Sequence, residues 1–154
     1  RNDVAGLAAI TKKGFVFDTM EVTVSWSNLD SCYRSVLDVV GAMDGVRVVS
    51  AHQSHAYSDG ACLYFTFAAR PEDPTVREAW YVAAWDVAAR AALSAGASLS
   101  HHHGVGLNRA RFMAEALGSG FEVLVTLKEA LDPQGILNPG KMGLPDRFGE
   151  VFWP

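Results

Sequence analysis

The sequence predicts an α+β fold, an antiparallel sheet with helices on one face, and three observations carry that expectation. Residues 19–26 alternate, with Met20, Val22, Val24 and Trp26 on one side and Thr19, Glu21, Thr23 and Ser25 on the other, the pattern of a half-buried strand. Two more β-rich stretches, 46–57 and 61–69, meet at Ser58-Asp59-Gly60, where Asp-Gly is a hairpin signal. The segments between and after them have helical period.

In chain order, residues 4–13 read as the end of an Ala-rich helix broken at Gly14. Ser27 resembles an N-cap, after which Leu29, Cys32, Tyr33, Val36, Leu37 and Val40 recur at helical spacing and stop near 41–45. With Asp59-Gly60 as a two-residue turn, Tyr57 faces Cys62, His55 faces Tyr64 and Gln53 faces Thr66. Leu63, Phe65 and Phe67 then take the core side, Tyr64 points away beside His55, and His52 falls on the core side opposite Phe67. Thr75 caps a long helix that buries Val76, Trp80, Ala83, Ala84, Val87 and Ala91 and ends before Gly96. Helices over 107–117 and 121–131 follow, and the tail from Asp132 to Gly143 has turn chemistry without periodicity.

A chain of 154 residues, 49% apolar, has the length of one domain and enough apolar content for a core. Its net charge of -4, with no basic run longer than Lys12-Lys13, argues against nucleic acid as a partner. The apolar runs are too short to span a bilayer. Cys32 and Cys62 lie in apolar periodic segments, which suits a reduced, intracellular protein, cytoplasmic or peripheral to a membrane. The chain starts at Arg1 without an initiator Met, so a piece of something longer is expected.

The chemistry concentrates at Ser98-Leu99-Ser100-His101-His102-His103-Gly104-Val105-Gly106. Three consecutive imidazoles cannot all point one way, so they supply groups that titrate near neutral pH to at least two environments. Tyr64 beside His55 pairs a phenol with an imidazole off the core face, a combination that passes protons. Arg109, just past the Gly-x-Gly, offers a fork for a phosphate or carboxylate, whereas Arg111 reads as surface charge. The dinucleotide-binding fingerprint, the Walker loop, the Gly-x-Ser-x-Gly elbow and His-Glu-x-x-His are all absent, and no metal site is expected.

Leu131-Asp132-Pro133-Gln134-Gly135-Ile136-Leu137-Asn138-Pro139-Gly140-Lys141-Met142 resembles the C-terminal signature of FAD-linked oxidases of the vanillyl-alcohol oxidase type. The run from Ser98 to Gly106, and Gly60-Ala61-Cys62-Leu63-Tyr64-Phe65, are similar within that group to the alkyldihydroxyacetonephosphate synthases. Asn138-Pro139-Gly140-Lys141 keeps the oxidase form. The resemblance implies a ferredoxin-like part of the cap domain over residues 1–131, and a tail, 132–154, that returns to an FAD-binding domain outside this chain. FAD is the implied cofactor, bound mainly by that missing domain. The implied reaction exchanges the acyl group of an acyl-dihydroxyacetone phosphate for a fatty alcohol. The alternatives are oxidation of a hydroxy acid or alcohol and, outside catalysis, a stand-alone binding module.

By the same resemblance Tyr64, His101, His102 and His103 are the catalytic groups, Arg109 touches substrate, and Asn138 and Lys141 face the cofactor; His55, set beside Tyr64 by the expected hairpin pairing, is read as a further substrate-binding residue. The implied partners are the FAD-binding domain and a small-molecule or lipid substrate, with peripheral membrane contact and a homodimer left open.

Overall fold

The computed structural model describes residues 10–149. They fall into two compact units, one running to His102 and the other starting at His103.

The first unit holds the sheet. Strand β1 (Val16–Ser25), helix α1 (Leu29–Gly41), strands β2 (Val46–Ala56) and β3 (Gly60–Ala69), and helix α2 (Arg77–Ser94) follow one another. The strands are antiparallel in the order β1-β3-β2, with Met20 opposite Phe65 and Val22 opposite Leu63. Period two puts Met20, Val22, Val24, Leu63, Phe65 and Phe67 on one face, all buried. Helix α1 covers them with Cys32, Val36 and Val40, and α2 with Trp80, Ala84, Trp85 and Ala88. The small alanines let α2 lie close to the sheet, and each fully buried Phe contributes about 1.5–3 kcal/mol. Asp18 fastens the layer by accepting from Tyr81 Oη at 2.5 Å and Trp85 Nε1 at 2.9 Å.

After α2 the chain returns to the free edge of β1. Ser98 N donates to Thr23 O at 2.8 Å and Ser98 Oγ accepts from Thr23 N at 2.9 Å. This is where a βαββαβ, ferredoxin-like plan places its last strand.

The second unit contains a 3-10 turn (Ala110–Phe112), helices α3 (Met113–Leu117) and α4 (Gly120–Leu131), and a tail ending in a second 3-10 turn (Lys141–Gly143). Asp132, buried just past α4, accepts from the backbone N–H of Ile136 and Leu137 at 3.1 and 2.9 Å, and from Lys128 Nζ at 2.5 Å. Lys128 Nζ also reaches Leu137 O, so the tail is tied to the helix it follows. These bonds, led by the Lys128 ammonium, hold the Asp132 carboxyl below its ordinary value.

The α+β class and the helix-covered face match the sequence reading, but several details differ. Part of the Ala-rich start lies outside the described residues; the described part, 10–12, is helical and ends at Gly14 in a left-handed conformation. Trp26 does not continue the apolar face of β1. The strand ends at Ser25, and Trp26 opens a 3-10 turn, 45% exposed, with Nε1 on Tyr57 O. Helix α1 follows Asn28 with no side-chain cap, and Asp73 rather than Thr75 makes the capping bond before α2. Val76 and Ala83 are exposed, because the buried stripe of α2 runs through Trp80, Ala84, Trp85, Ala88, Ala89 and Ala92. Residues 107–112 form turns rather than the start of a long helix.

The hairpin register is the main correction. The turn residues are Ser58 and Asp59, with Tyr57 N bonded to Gly60 O at 2.8 Å. Gly60 does not take a left-handed conformation; instead a Cβ there would stand 2.2 Å from Val24 O, so this glycine serves close approach to β1. A bulge between Gln53 and His55 shifts the pairing by one more residue. His55 therefore faces Cys62, and His52 faces Tyr64.

Candidate active site

The sheet face turned away from the helices carries Thr19, Glu21 and Thr23 from β1, Cys62, Tyr64 and Thr66 from β3, and His52 and His55 from β2. Tyr64 lies off the core face, as the alternation predicts. Its immediate neighbours differ from the expectation: the ring stacks on His52 at 5.2 Å between centroids, and Oη shares a 3.1 Å hydrogen bond with Thr19 Oγ1. His52 is accordingly exposed on the polar face rather than set against the core.

Glu21, the cross-strand partner of Tyr64, is completely buried. The segment after Ser98 covers it and satisfies it. Ser100 Oγ donates to Oε1, His101 N donates to Oε2 at 2.6 Å, and His102 N lies 3.2 Å from both oxygens. The Cys62 thiol, raised by burial, donates to Oε2 at 3.8 Å. A buried carboxylate is tolerated only with such donors. Because they come from residues 100–102, the carboxylate dictates where the histidines stand.

Around that anchor the imidazoles converge. Nδ1 of His101 lies 2.8 Å from Nδ1 of His102, and these atoms are 3.8 and 3.6 Å from Glu21 Oε2. His55 brings its ring to 5.0 Å from His101 and 5.6 Å from His102, with Nδ1 on Ser54 Oγ. Tyr57 Oη meets His101 Nε2 at 2.6 Å. One nitrogen from each of His55, His101 and His102 falls within 4.8 Å of the others, so adjacent histidines do converge here, with a spacing a metal ion could use.

Of the candidates from sequence, the first unit brings together His55, His101 and His102, while Tyr64 borders the same Glu21. The second unit holds His103, Arg109, Asn138 and Lys141. His103 is exposed. Arg109 is buried and donates through Nη1 to Gly104 O at 3.0 Å, which braces the Gly-x-Gly turn. Arg111 is exposed and lies over the Phe112 ring. Asn138 takes a left-handed conformation, and the exposed Lys141 reaches Pro139 O at 3.3 Å.

Two residues of the site were not singled out from sequence. Glu21 carries a visible signal, an acid in the middle of an otherwise Thr/Ser polar face, but its partners lie about 80 residues away. Tyr57 was misread because the register was.

A polar sheet face with phenols, imidazoles and a buried acid, backed by a helix-covered core, is an arrangement suited to proton transfer. The chain belongs to the family described as FAD linked oxidases, C-terminal domain, which matches residues 1–142. Among curated relatives, alkyldihydroxyacetonephosphate synthase of Dictyostelium discoideum is 35% identical over 130 residues, covering 81% of this chain and 21% of its own. An uncharacterized FAD-linked oxidoreductase of Escherichia coli (strain K12) is 29% identical over 140 residues, covering 85% and 28%. A solved structure of an alkyldihydroxyacetonephosphate synthase superposes with a TM-score of 0.52 at 30% identity, covering 83% of this chain and 21% of that one. The chain thus spans between a fifth and a third of the length of these proteins.

Proposed function

We propose that this chain forms one wall of the active site of an FAD-dependent enzyme that exchanges the acyl group of an acyl-dihydroxyacetone phosphate for a fatty alcohol. The observation that supports it most is the convergence of His101 and His102 on Glu21, the cross-strand partner of Tyr64, in a chain similar to synthases of that name. The donor set fits a wall facing a flavin rather than a cradle for one. Imidazoles and phenols lie on an open face, and the sequence has no dinucleotide-binding fingerprint. FAD, when bound, supplies the electron sink of the reaction, and Asn138 and Lys141 are the residues of this chain that would face it.

The chain's own groups hold and move protons. Tyr64, oriented by Thr19 and His52, presents a hydroxyl to the substrate, and His55, His101, His102 and His103 orient the reacting oxygens or take their protons. Arg109 holds the turn that follows the histidines. The same reading expects an FAD-binding domain elsewhere in a longer chain, a lipid substrate, and an intracellular enzyme at a membrane periphery.

Oxidation of a hydroxy acid or alcohol is the second reading, supported by the oxidase form of Asn138-Pro139-Gly140-Lys141 and by the Escherichia coli relative. An assay of the full-length protein separates them. Incubation with palmitoyl-dihydroxyacetone phosphate and hexadecanol should yield the ether and palmitate with no electron acceptor. Reduction of an artificial acceptor by a D-2-hydroxy acid, without ether formation, would replace the first reading by the second.

A further inference from the structure

We infer that Tyr57, His101 and His102 form a proton relay seated on the buried carboxylate of Glu21, an inference that builds on the proposed function. Two imidazole Nδ1 atoms 2.8 Å apart face each other with one hydrogen between them, since two lone pairs at that distance repel and two hydrogens clash. At the far side of the His101 ring, Nε2 stands 2.6 Å from the Tyr57 hydroxyl. Three hydrogen-bonding groups therefore lie in line: Tyr57 Oη, the His101 ring and the His102 ring.

The two ends of this line are half exposed to solvent and its centre is sheltered. Tyr57 is 46% exposed and the His102 side chain 47%, whereas that of His101 is 17% exposed. A proton entering at Nε2 of His102 displaces the Nδ1 hydrogen to Nδ1 of His101. The hydrogen on His101 Nε2 passes to the phenol oxygen, and the phenol releases its own to solvent. One proton enters, one leaves and both rings exchange tautomers; the reverse direction balances equally.

Glu21 makes this geometry and favours the transfer. Both histidine backbone N–H groups bond to the carboxylate, which fixes the spacing of the rings. Oε2 also lies 3.8 and 3.6 Å from the two Nδ1 atoms, so a carboxylate oxygen stands beside the hydrogen as it passes between the rings. Glu21 is thus a positioning residue. Both candidate reactions need such an exit, since ether formation and alcohol oxidation each release the hydroxyl proton of an alcohol.

The test uses the full-length protein with 15N-labelled histidine. The wild type should show a scalar coupling across the Nδ1–H···Nδ1 bond between His101 and His102. Glu21→Gln should lose it while keeping a cooperative melt, and Glu21→Asp should restore part of it. Tyr57→Phe should lower kcat about tenfold and enlarge the solvent deuterium isotope effect, with KM little changed, in whichever of the two reactions the wild type performs. Absence of the coupling in the wild type, or turnover and isotope effect unchanged in Tyr57→Phe, overturns the relay. If the wild type performs neither reaction, the proposed function fails, and the coupling and its response to Glu21→Gln decide the relay alone.

Discussion

Two buried carboxylates each hold down a loop in this molecule, and they do so by different means. Glu21 lies in mid-strand and gathers Ser100, His101 and His102 from some 80 residues away, through a hydroxyl and backbone N–H groups, with imidazoles and a thiol beside it. Asp132 closes a helix and takes its donors from Ile136 and Leu137, four and five residues on, plus the ammonium of Lys128 one turn back. The local anchor has a full cation and a short loop to close, so it makes a fixed structural corner. The distant anchor is surrounded by imidazoles and a thiol, groups that can exchange protons, so it makes a site.

The largest effect should come from breaking the distant anchor. Glu21→Ala leaves a hydroxyl and two N–H groups without their acceptor and opens a void, at a cost of roughly 2–4 kcal/mol read as a lower melting temperature of the sheet unit. Loss of activity should accompany it.

Breaking the local anchor should be felt locally. Asp132→Asn should increase proteolysis between residues 132 and 142 while the main melting transition stays in place. Acid should act in the same way. The folded carboxyl lies below its ordinary value of 3.8, so the stabilisation is complete above that value and is lost as pH falls through the folded one. Protection of the tail should therefore persist at neutral pH and fade only in strong acid. Fading near pH 6 would contradict the assignment to Asp132.

The thiols sharpen the comparison. Burial raises Cys32 to about 11 and also raises Cys62. Neither should react with iodoacetamide at pH 7 in the wild type. In Glu21→Ala, Cys62 should become reactive as the covering loop lifts, while Cys32, on the core side, should remain inert.

The smallest effect on stability should come from Tyr64→Phe, which removes one hydroxyl shared with Thr19 and costs about 1 kcal/mol. Under the proposed function the same change abolishes ether formation. A drop in stability several times larger would mean that the ring is part of the core.

This contrast also explains what the sequence disclosed. Strand alternation assigned Met20, Val22 and Val24 to the core and Tyr64 to the other face, because period two survives any register that keeps parity. The helix stripe of Cys32, Val36 and Val40 was equally legible. The helix end at Asp132-Pro133-Gln134-Gly135 was legible as turn chemistry, but the bonds by which Asp132 and Lys128 tie the tail to α4 were not. Nor were cross-strand neighbours. Gly60 reads as a turn residue, yet it is required by the close approach of Val24 O, and the bulge after Gln53 has no sequence signal. Those two shifts moved His52 into the place beside Tyr64 that was expected for His55, and brought Tyr57 to His101. Glu21 was placed on the correct face, but nothing local to it shows which distant loop it holds.

The measurement that tests the central claim most directly is amide hydrogen exchange at His101 and His102, compared between the wild type and Glu21→Gln. The account predicts that both amides are protected in the wild type like those of β1, and that the substitution releases them while the protection of β3 is kept. Exchange of both amides at open-loop rates in the wild type would mean that the carboxylate does not hold the histidines, and the site described around it would not exist.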